Sequence, residues 1–455
     1  MNVVWAIAHK MIQEAIRKRI PIALGIFVIV MILCLPLALK SDGSLQGQVQ
    51  LTLAYSIYLS FMMLSLLTIF LAAMSFTGEI KAKQYYLLDT KPIYRWQFFA
   101  GKFLGLSLLN FAFLVVIGAT VWVVLSLLIS SQPKAAQAAL NDEILNCYRG
   151  CKPYINFKSL EILVEQEYQK RKQQNRLPQE QSEEEVRRDI QKEQLNLRHW
   201  VPYKGERSWL FKEIPATLKS NPQYKLKLRY KFFSSQASAG RLYMAHWRIG
   251  KGDNVYTMQT LAKTGEILEF TIPTAVIAEK NFVEVRFINQ DPAAGYIYFP
   301  LQDGLELLYP AGSFGANYFR GMMLLLLILC FLILVTLFAS TFLTFHVAVL
   351  VAFYIMGLGL IADFLMEMMP LGTEILSKER QNLWYYVSQY TLSFMFTLLP
   401  SFSDYNPVEY LSRGRIIETS LVIEAVGKLL LIRGGILATL GCLIFHHREI
   451  GKPLE

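Results

Sequence analysis

No stretch of the 455 residues reads GxxxxGK[ST]. The nearest approach, Gly101-Lys102, runs on into Phe103 and an apolar segment, so the chain cannot bind and hydrolyse ATP by that route. HExxH, GxSxG and paired CxxC are missing too, which removes three further familiar catalytic or metal-binding patterns. The expectation is a chain that is not an enzyme and that holds no metal and no cofactor of its own. Histidine is sparse: six are scattered, and the one adjacent pair, His446-His447, reads as a solvated basic end rather than a metal site. Cysteine is also scarce, at five. Cys34, Cys330 and Cys442 lie inside apolar runs and are most simply small hydrophobes. Cys147 and Cys151, in NCYRGC, leave both a short disulfide and two thiols open. No internal repeat, low-complexity tract or lipidation motif stands out. A cleavable signal peptide is not expected, because the first apolar region starts too far in and no small-residue cleavage site precedes the polar SDGS segment.

What is abundant is apolar sequence. Hydrophobic residues make up 53% of the chain and the mean hydropathy is +0.33, which suits a membrane bundle joined to a sizeable soluble part. The net charge of +10 sits largely beside apolar runs, so positive-inside topology explains it better than nucleic-acid binding.

Apolar runs of 18 or more residues read as membrane spans. Residues 1–19 carry apolar pairs at i, i+4 with Lys10, Arg17, Lys18 and Arg19 between and after them, the pattern of an interfacial amphipathic helix. Spans are expected at about 20–39, 51–76 and 103–129, and then at 321–343, 347–365 and 422–445. The fold class is therefore mixed: a six-span helical bundle plus a large extracytoplasmic domain at 131–315. In that domain, residues 131–200 read as a charged helical hairpin, with SEEE at 182–185 as a capping box for its second helix. Residues 201–315 switch to period two: Leu226, Leu228, Tyr230 and Phe232 alternate with Lys225, Lys227, Arg229 and Lys231, and GYIYF follows at 295–299. This predicts an antiparallel β-sandwich. Residues 317–320 read as an interfacial anchor before the fourth span. An apolar, aromatic segment at 383–399 is expected to lie on the outer leaflet, or to dip into it, rather than to span. The domains are thus 1–130, 131–315 and 316–455, with both termini cytoplasmic.

Ionisable residues inside apolar runs are functional suspects by default. Asp363 and Glu367 near the outer end of the fifth span, and Lys428 and Arg433 in the outer half of the sixth, invite an interhelical charge pair. Structural pairing outweighs a relay role. The aromatics Trp209, Tyr243 and Trp247 could line a ligand groove, although alternate aromatics more simply fill a sandwich core.

Residues 79–105, EIKAKQYYLLDTKPIYRWQFFAGKFLG, hold five cations (Lys81, Lys83, Lys91, Arg95, Lys102) against two anions (Glu79, Asp89). They form a short loop between spans, placed in the cytoplasm by its charge. Its succession of Glu79, Leu87-Leu88, Pro92, Arg95 and Gly101-Lys102, followed by Gly105, resembles the loop between the second and third spans of ABC-2-type permeases, the membrane subunits of ABC exporters. The interfacial N-terminal helix, the six spans, LLPSFSDYNP at 398–407 and the basic end FHHREIG are similar to that family as well. The resemblance covers roughly 1–130 and 316–450. The insertion of about 180 residues between the third and fourth spans departs from it.

The resemblance implies a separate cytoplasmic ABC ATPase that carries the ATP and Mg, and a second permease, either a copy or a homologue. It also implies a coupling role for Glu79, Lys83, Tyr85, Leu87, Leu88, Pro92, Arg95 and Lys102 (loop 77–103), with the stretch around 85–92 docking on the ATPase. The expected function is permease-type coupling of ATP hydrolysis to export or to force transmission, in a plasma (inner) membrane. The external domain would meet an envelope protein or glycan. The alternative is a membrane-anchored extracytoplasmic binding or sensor protein with no transport role.

Overall fold

A computed structural model describes residues 3–39, 45–81, 94–131, 133, 146–174, 176–177, 183–219, 224–236, 240–252, 254–279, 281–292, 294–301, 303–376 and 401–447. The chain divides into two compact units: Met1–Leu145 with Ser313–Glu455, and Asn146–Gly312.

Among the described residues of the first unit six helices are long and apolar enough to cross a membrane: Ile20–Ala38, Gly47–Glu79, Arg95–Ser130, Phe314–Ser340, Phe345–Ala362 and Thr419–His447 (spans 1 to 6). Together they make the chain a multi-pass membrane protein. Spans 2 and 3 have 33 and 36 residues, about 50 Å at ~1.5 Å per residue against a hydrocarbon core of ~30 Å, so both project beyond the apolar layer. Span 4 is the central helix, with 78% of its apolar window buried, whereas spans 1 and 6 leave all but 22% of theirs open to the surroundings. Residues 317–320, expected as an anchor before span 4, lie inside that helix.

The N-terminal helix Val3–Arg17 precedes span 1 and buries Ile7, Ala8, Met11 and Ala15. Arg19 then adopts φ 58, a left-handed conformation that breaks the helix, and Pro21 enters the first turn of span 1, where its missing N–H costs nothing. Span 6 is not uniform. Its middle, Val426–Gly434, is a π-helix between α-helical ends. The expected outer helix at 383–399 lies outside the described residues.

The second unit is built on antiparallel sheets. Two four-stranded sheets run in the orders β1-β11-β4-β8 and β3-β9-β6-β7, and a three-stranded sheet runs β2-β10-β5. The strands are β1 (Asn146–Cys151), β2 (Trp200–Val201), β3 (Glu206–Phe211), β4 (Lys225–Tyr230), β5 (Phe233–Ser234), β6 (Leu242–Ile249), β7 (Tyr256–Lys263), β8 (Leu268–Pro273), β9 (Val283–Ile288), β10 (Ile297–Tyr298) and β11 (Leu305–Ser313). The alternation foreseen at 225–232 is real, and Leu226, Leu228, Tyr230 and Phe232 are all buried. Tyr230 of β4 meets Trp247 of β6 at 4.9 Å between rings, closing one sheet on the other around an aromatic core that includes Phe287 and Phe299. Trp209, Tyr243 and Trp247 belong to that core, so they line no groove.

The helical hairpin is present as Phe157–Gln173 and Glu183–Arg198, joined by buried Tyr168, Val186 and Ile190. Ser182, the expected cap, lies outside the described residues. Two sequence expectations are corrected here. Residues 131–200 are not wholly helical, because Asn146–Cys151 is a strand at the edge of a sheet. Cys147 and Cys151 form no disulfide. Four residues apart on one strand, their Cα atoms stand about 13 Å apart, and a bridge requires less than about 7 Å.

Candidate functional site

The site is built where the end of span 2, the start of span 3 and the N-terminal helix converge. Span 2 brings Glu79 to its last turn, and span 3 brings Lys102 two turns into its first half. Lys102 Nζ lies 2.9 Å from Glu79 Oε1, and the two side chains are 2% and 5% exposed. The same ammonium donates to the Ser75 carbonyl at 2.9 Å and stands 5.2 Å from the centre of the Phe98 ring. Lys10 of the N-terminal helix reaches Glu79 Oε1 from the other side, at 3.3 Å. Glu79 thus accepts two ammonium groups through one oxygen. Its Oε2 is buried and takes no hydrogen bond from the described residues. A charge buried this deeply persists only if paired, because removing either partner leaves the other uncompensated.

Glycines explain how the N-terminal helix comes so close. A Cβ on Gly101 would stand 2.7 Å from Ile7 Cβ, and one on Gly105 would stand 2.9 Å from the Ala8 carbonyl oxygen. Gly101 and Gly105 make one turn-spaced seam on span 3, the small-xxx-small surface that lets helix backbones approach. The motif letters therefore have separate tasks. The two glycines seat the helix, and Lys102 beside them receives Glu79.

A second tie closes the same end of the bundle. The Arg95 guanidinium donates to the Phe445 carbonyl and, at 2.7 Å, to the His446 carbonyl, two acceptors in the last turn of span 6. Phe76, Phe98 and Phe445 pack around it with ring separations of 5.7, 5.0 and 6.1 Å. The N-terminal helix, the span 2 to span 3 connection and the end of span 6 therefore lie together.

At the opposite end Tyr318 donates to the Gly118 carbonyl at 2.9 Å, joining the start of span 4 to span 3. Asn317 donates to the Arg415 carbonyl at 2.7 Å and accepts from the Ile417 N–H at 2.6 Å, clamping the strand-like lead into span 6. The SFSDYNP part of the outer segment packs nearby: the Phe402 N–H donates to the Gly359 carbonyl at 2.9 Å, and Leu411 touches Gly321.

Of the eight coupling residues expected from sequence, Glu79 and Lys102 are paired directly and Arg95 is set apart as the tie to span 6. Lys83, Tyr85, Leu87, Leu88 and Pro92 lie outside the described residues. Of the four intramembrane charges singled out from sequence, the side chains of Lys428 and Arg433 are described. Lys428 pairs with Glu424 one turn back in its own helix, at 2.5 Å, because i, i+4 neighbours on one face need no partner span. Arg433 lies near Asp404 and Tyr405 of the outer segment. The side chains of Asp363 and Glu367 lie outside the described residues. Sequence reasoning missed Lys10 as a partner of Glu79, the seam at Gly101 and Gly105, Asn317, and a buried Thr68–Asn110 hydrogen bond of 3.0 Å between spans 2 and 3. The four-residue glycine spacing was the available signal for the seam.

No group of three or more His, Cys, Asp or Glu that could hold a metal ion occurs among the described residues. No curated protein matches the chain. Residues 5–141 do match a family model, that of the ABC-2 family transporter protein, and this stretch contains the N-terminal helix, the glycine seam and the Glu79–Lys102 pair, so the same residues that build the site support an ABC-2-type permease.

Proposed function

We propose that this chain is the membrane subunit of an ABC transporter, driven by a separate cytoplasmic ATPase that binds the ATP and Mg. The observation that carries the reading is the Lys10–Glu79–Lys102 cluster at the root of the connection between spans 2 and 3. A load applied to that connection would reach three helices at once, since one buried carboxylate holds them together. The loop charge supports a cytoplasmic position for this end, and with it for both termini. Asn146–Gly312, entered from span 3 and left into span 4, would then be extracytoplasmic. The exposed apolar faces of spans 1, 5 and 6 supply surface for lipid and for a second permease, in a homodimer or heterodimer.

Force transmission rather than cargo export is favoured by one feature. β11 ends at Ser313 and span 4, the most buried helix of the bundle, begins at Phe314 with no linker residue between them. A displacement of the first residue of span 4 is then a displacement of its covalent neighbour, the last residue of β11.

Copurification tests the first reading. The solubilised chain should recover an ABC ATPase from its own cells and raise that enzyme's ATP turnover. Failure to recover one with residues 79–105 intact would favour a membrane-anchored sensor. Widening the β11–span 4 junction with a flexible four-glycine insert separates export from force transmission: output at the β unit should fall while ATPase stimulation persists.

A further inference from the structure

The three-stranded sheet carries a feature that neither the bundle nor the sandwich core uses. Tyr298 of β10 lies opposite Trp200 of β2 on one side and opposite Phe233 of β5 on the other. Directly opposed residues share a face, so these three rings form a row across the sheet with a step of ~4.8 Å per strand. Their strand neighbours Val201, Ile297 and Ser234 point the other way and are buried. Tyr296, two residues before Tyr298, joins the row with its ring 6.1 Å from Trp200, while Tyr298 stands 5.6 Å from Trp200.

The row is open. Trp200 is 41% exposed, Phe233 43% and Tyr296 53%. Three large rings left in water, with the half-buried Tyr298 between them, cost free energy that a core position would recover, so such a patch marks a binding surface. Cations stand against it: the Arg207 guanidinium donates to the Trp200 carbonyl at 3.2 Å, and Lys231 Nζ lies 5.5 Å from the Phe233 ring centre.

We propose that this row is a binding platform for an acidic polysaccharide, a chain of pyranose units bearing carboxylates. A pyranose ring offers a face of C–H groups that stacks on an aromatic ring, and the strand step is close to the length of one sugar unit. Tyr298 and Tyr296 are tilted 52° and 57° from Trp200, so the rings offer separate faces to a chain that turns from one sugar to the next, while Arg207 and Lys231 pair with carboxylates at the edge. A bilayer interface also takes Trp and Tyr; the paired cations at the edge favour the acidic polymer, and the vesicle arm of the test separates the two. Only the place where the glycan is met rests on the extracytoplasmic reading; the binding itself does not.

The test uses the purified full chain in detergent, with polygalacturonate, alginate and hyaluronate as probes and phosphatidylglycerol vesicles as the competing surface. Binding to at least one of the polyuronates is expected, falling at least tenfold in Trp200→Ala/Tyr298→Ala. Arg207→Gln/Lys231→Gln should lose most of the salt dependence while retaining residual binding. Unchanged hydrogen-exchange protection of β6 certifies the fold; if the double aromatic variant fails that check, Phe233→Ala replaces it. Absence of binding to all three polymers overturns the proposal. So does affinity indifferent to the aromatic substitutions, or a loss confined to the lipid vesicles. None of these outcomes bears on ATPase recovery, so this proposal and the transporter reading fail separately.

Discussion

Lys102 and Glu79 face each other at 2.9 Å from two different spans, and almost none of either side chain reaches solvent. An ion pair in that position gains little net stability over a hydrophobic pair, but breaking it on one side is costly. Glu79→Ala is expected to destabilise the chain by about 3–5 kcal/mol, because Lys102 is left charged and enclosed. Glu79→Leu/Lys102→Met should regain most of that loss. ATPase stimulation measured on the double variant then separates packing from coupling: a stable chain that no longer stimulates supports the latch role, and normal stimulation ends it.

The glycine seam makes a comparative prediction. Gly105→Ala places a methyl 2.9 Å from backbone, which cannot swing aside, whereas a Cβ at Gly118 would find its nearest neighbour at 3.6 Å. Gly105→Ala should therefore detach the N-terminal helix, read as faster hydrogen exchange over 3–17. Gly118→Ala should leave that exchange unchanged. Equal effects from both would mean that the seam does not seat the helix.

His199 gives the β unit a pH dependence. It is buried beside Trp209, and burial, assisted by the Arg198 charge, lowers its pKa from 6.5 to about 4. The unfolded chain therefore binds the extra proton first, at pH values where the folded state still excludes it. Stability contributed by neutral His199 is complete above about pH 6.5 and falls as the pH drops towards about 4. Denaturant titrations of the full chain at pH 7.5 and 4.5, followed at β2 and β10, should show this loss. His199→Phe should remove most of it.

Asn317 is the remaining single-residue lever. Its amide satisfies one backbone carbonyl and one backbone N–H in the lead into span 6. Asn317→Ala leaves both unpaired and should cost about 1–3 kcal/mol for each group that water cannot reach. Exchange at Ile417 reports it directly. Asn317→Asp should protect that N–H but not the Arg415 carbonyl.

The parts of this architecture written in composition and period were legible beforehand. Six apolar runs, the alternation at 225–232 and the charged hairpin are local patterns, and each one appears close to its expected place. The pairing of Glu79 with Lys102 was half legible, since both residues stood out in the loop motif. Nothing local could match them, because residues 23 positions apart meet only when spans 2 and 3 lie antiparallel. Lys428 shows the reverse case: Glu424, four residues away on its own helix face, is a local partner. For Cys147 and Cys151 spacing left the bridge open, and their place on one extended strand excludes it, because four residues there separate side chains instead of joining them.

The aromatics divide on the same principle. Sequence by itself determined that the middle of the chain alternates and that its strands carry many rings, and hydrophobic burial then requires some rings to be core. Which ones could be decided only in three dimensions. Trp247 lies between two facing four-stranded sheets and is enclosed, whereas Trp200 lies on a small third sheet and is 41% exposed. The bundle follows the same rule. Length and apolarity determined which helices cross a membrane, because the bilayer acts on each segment separately. Tertiary packing decided that one carboxylate, two ammonium groups and two glycines from distant segments form a single site, because close approach and charge pairing depend on neighbours that the order of residues does not reveal.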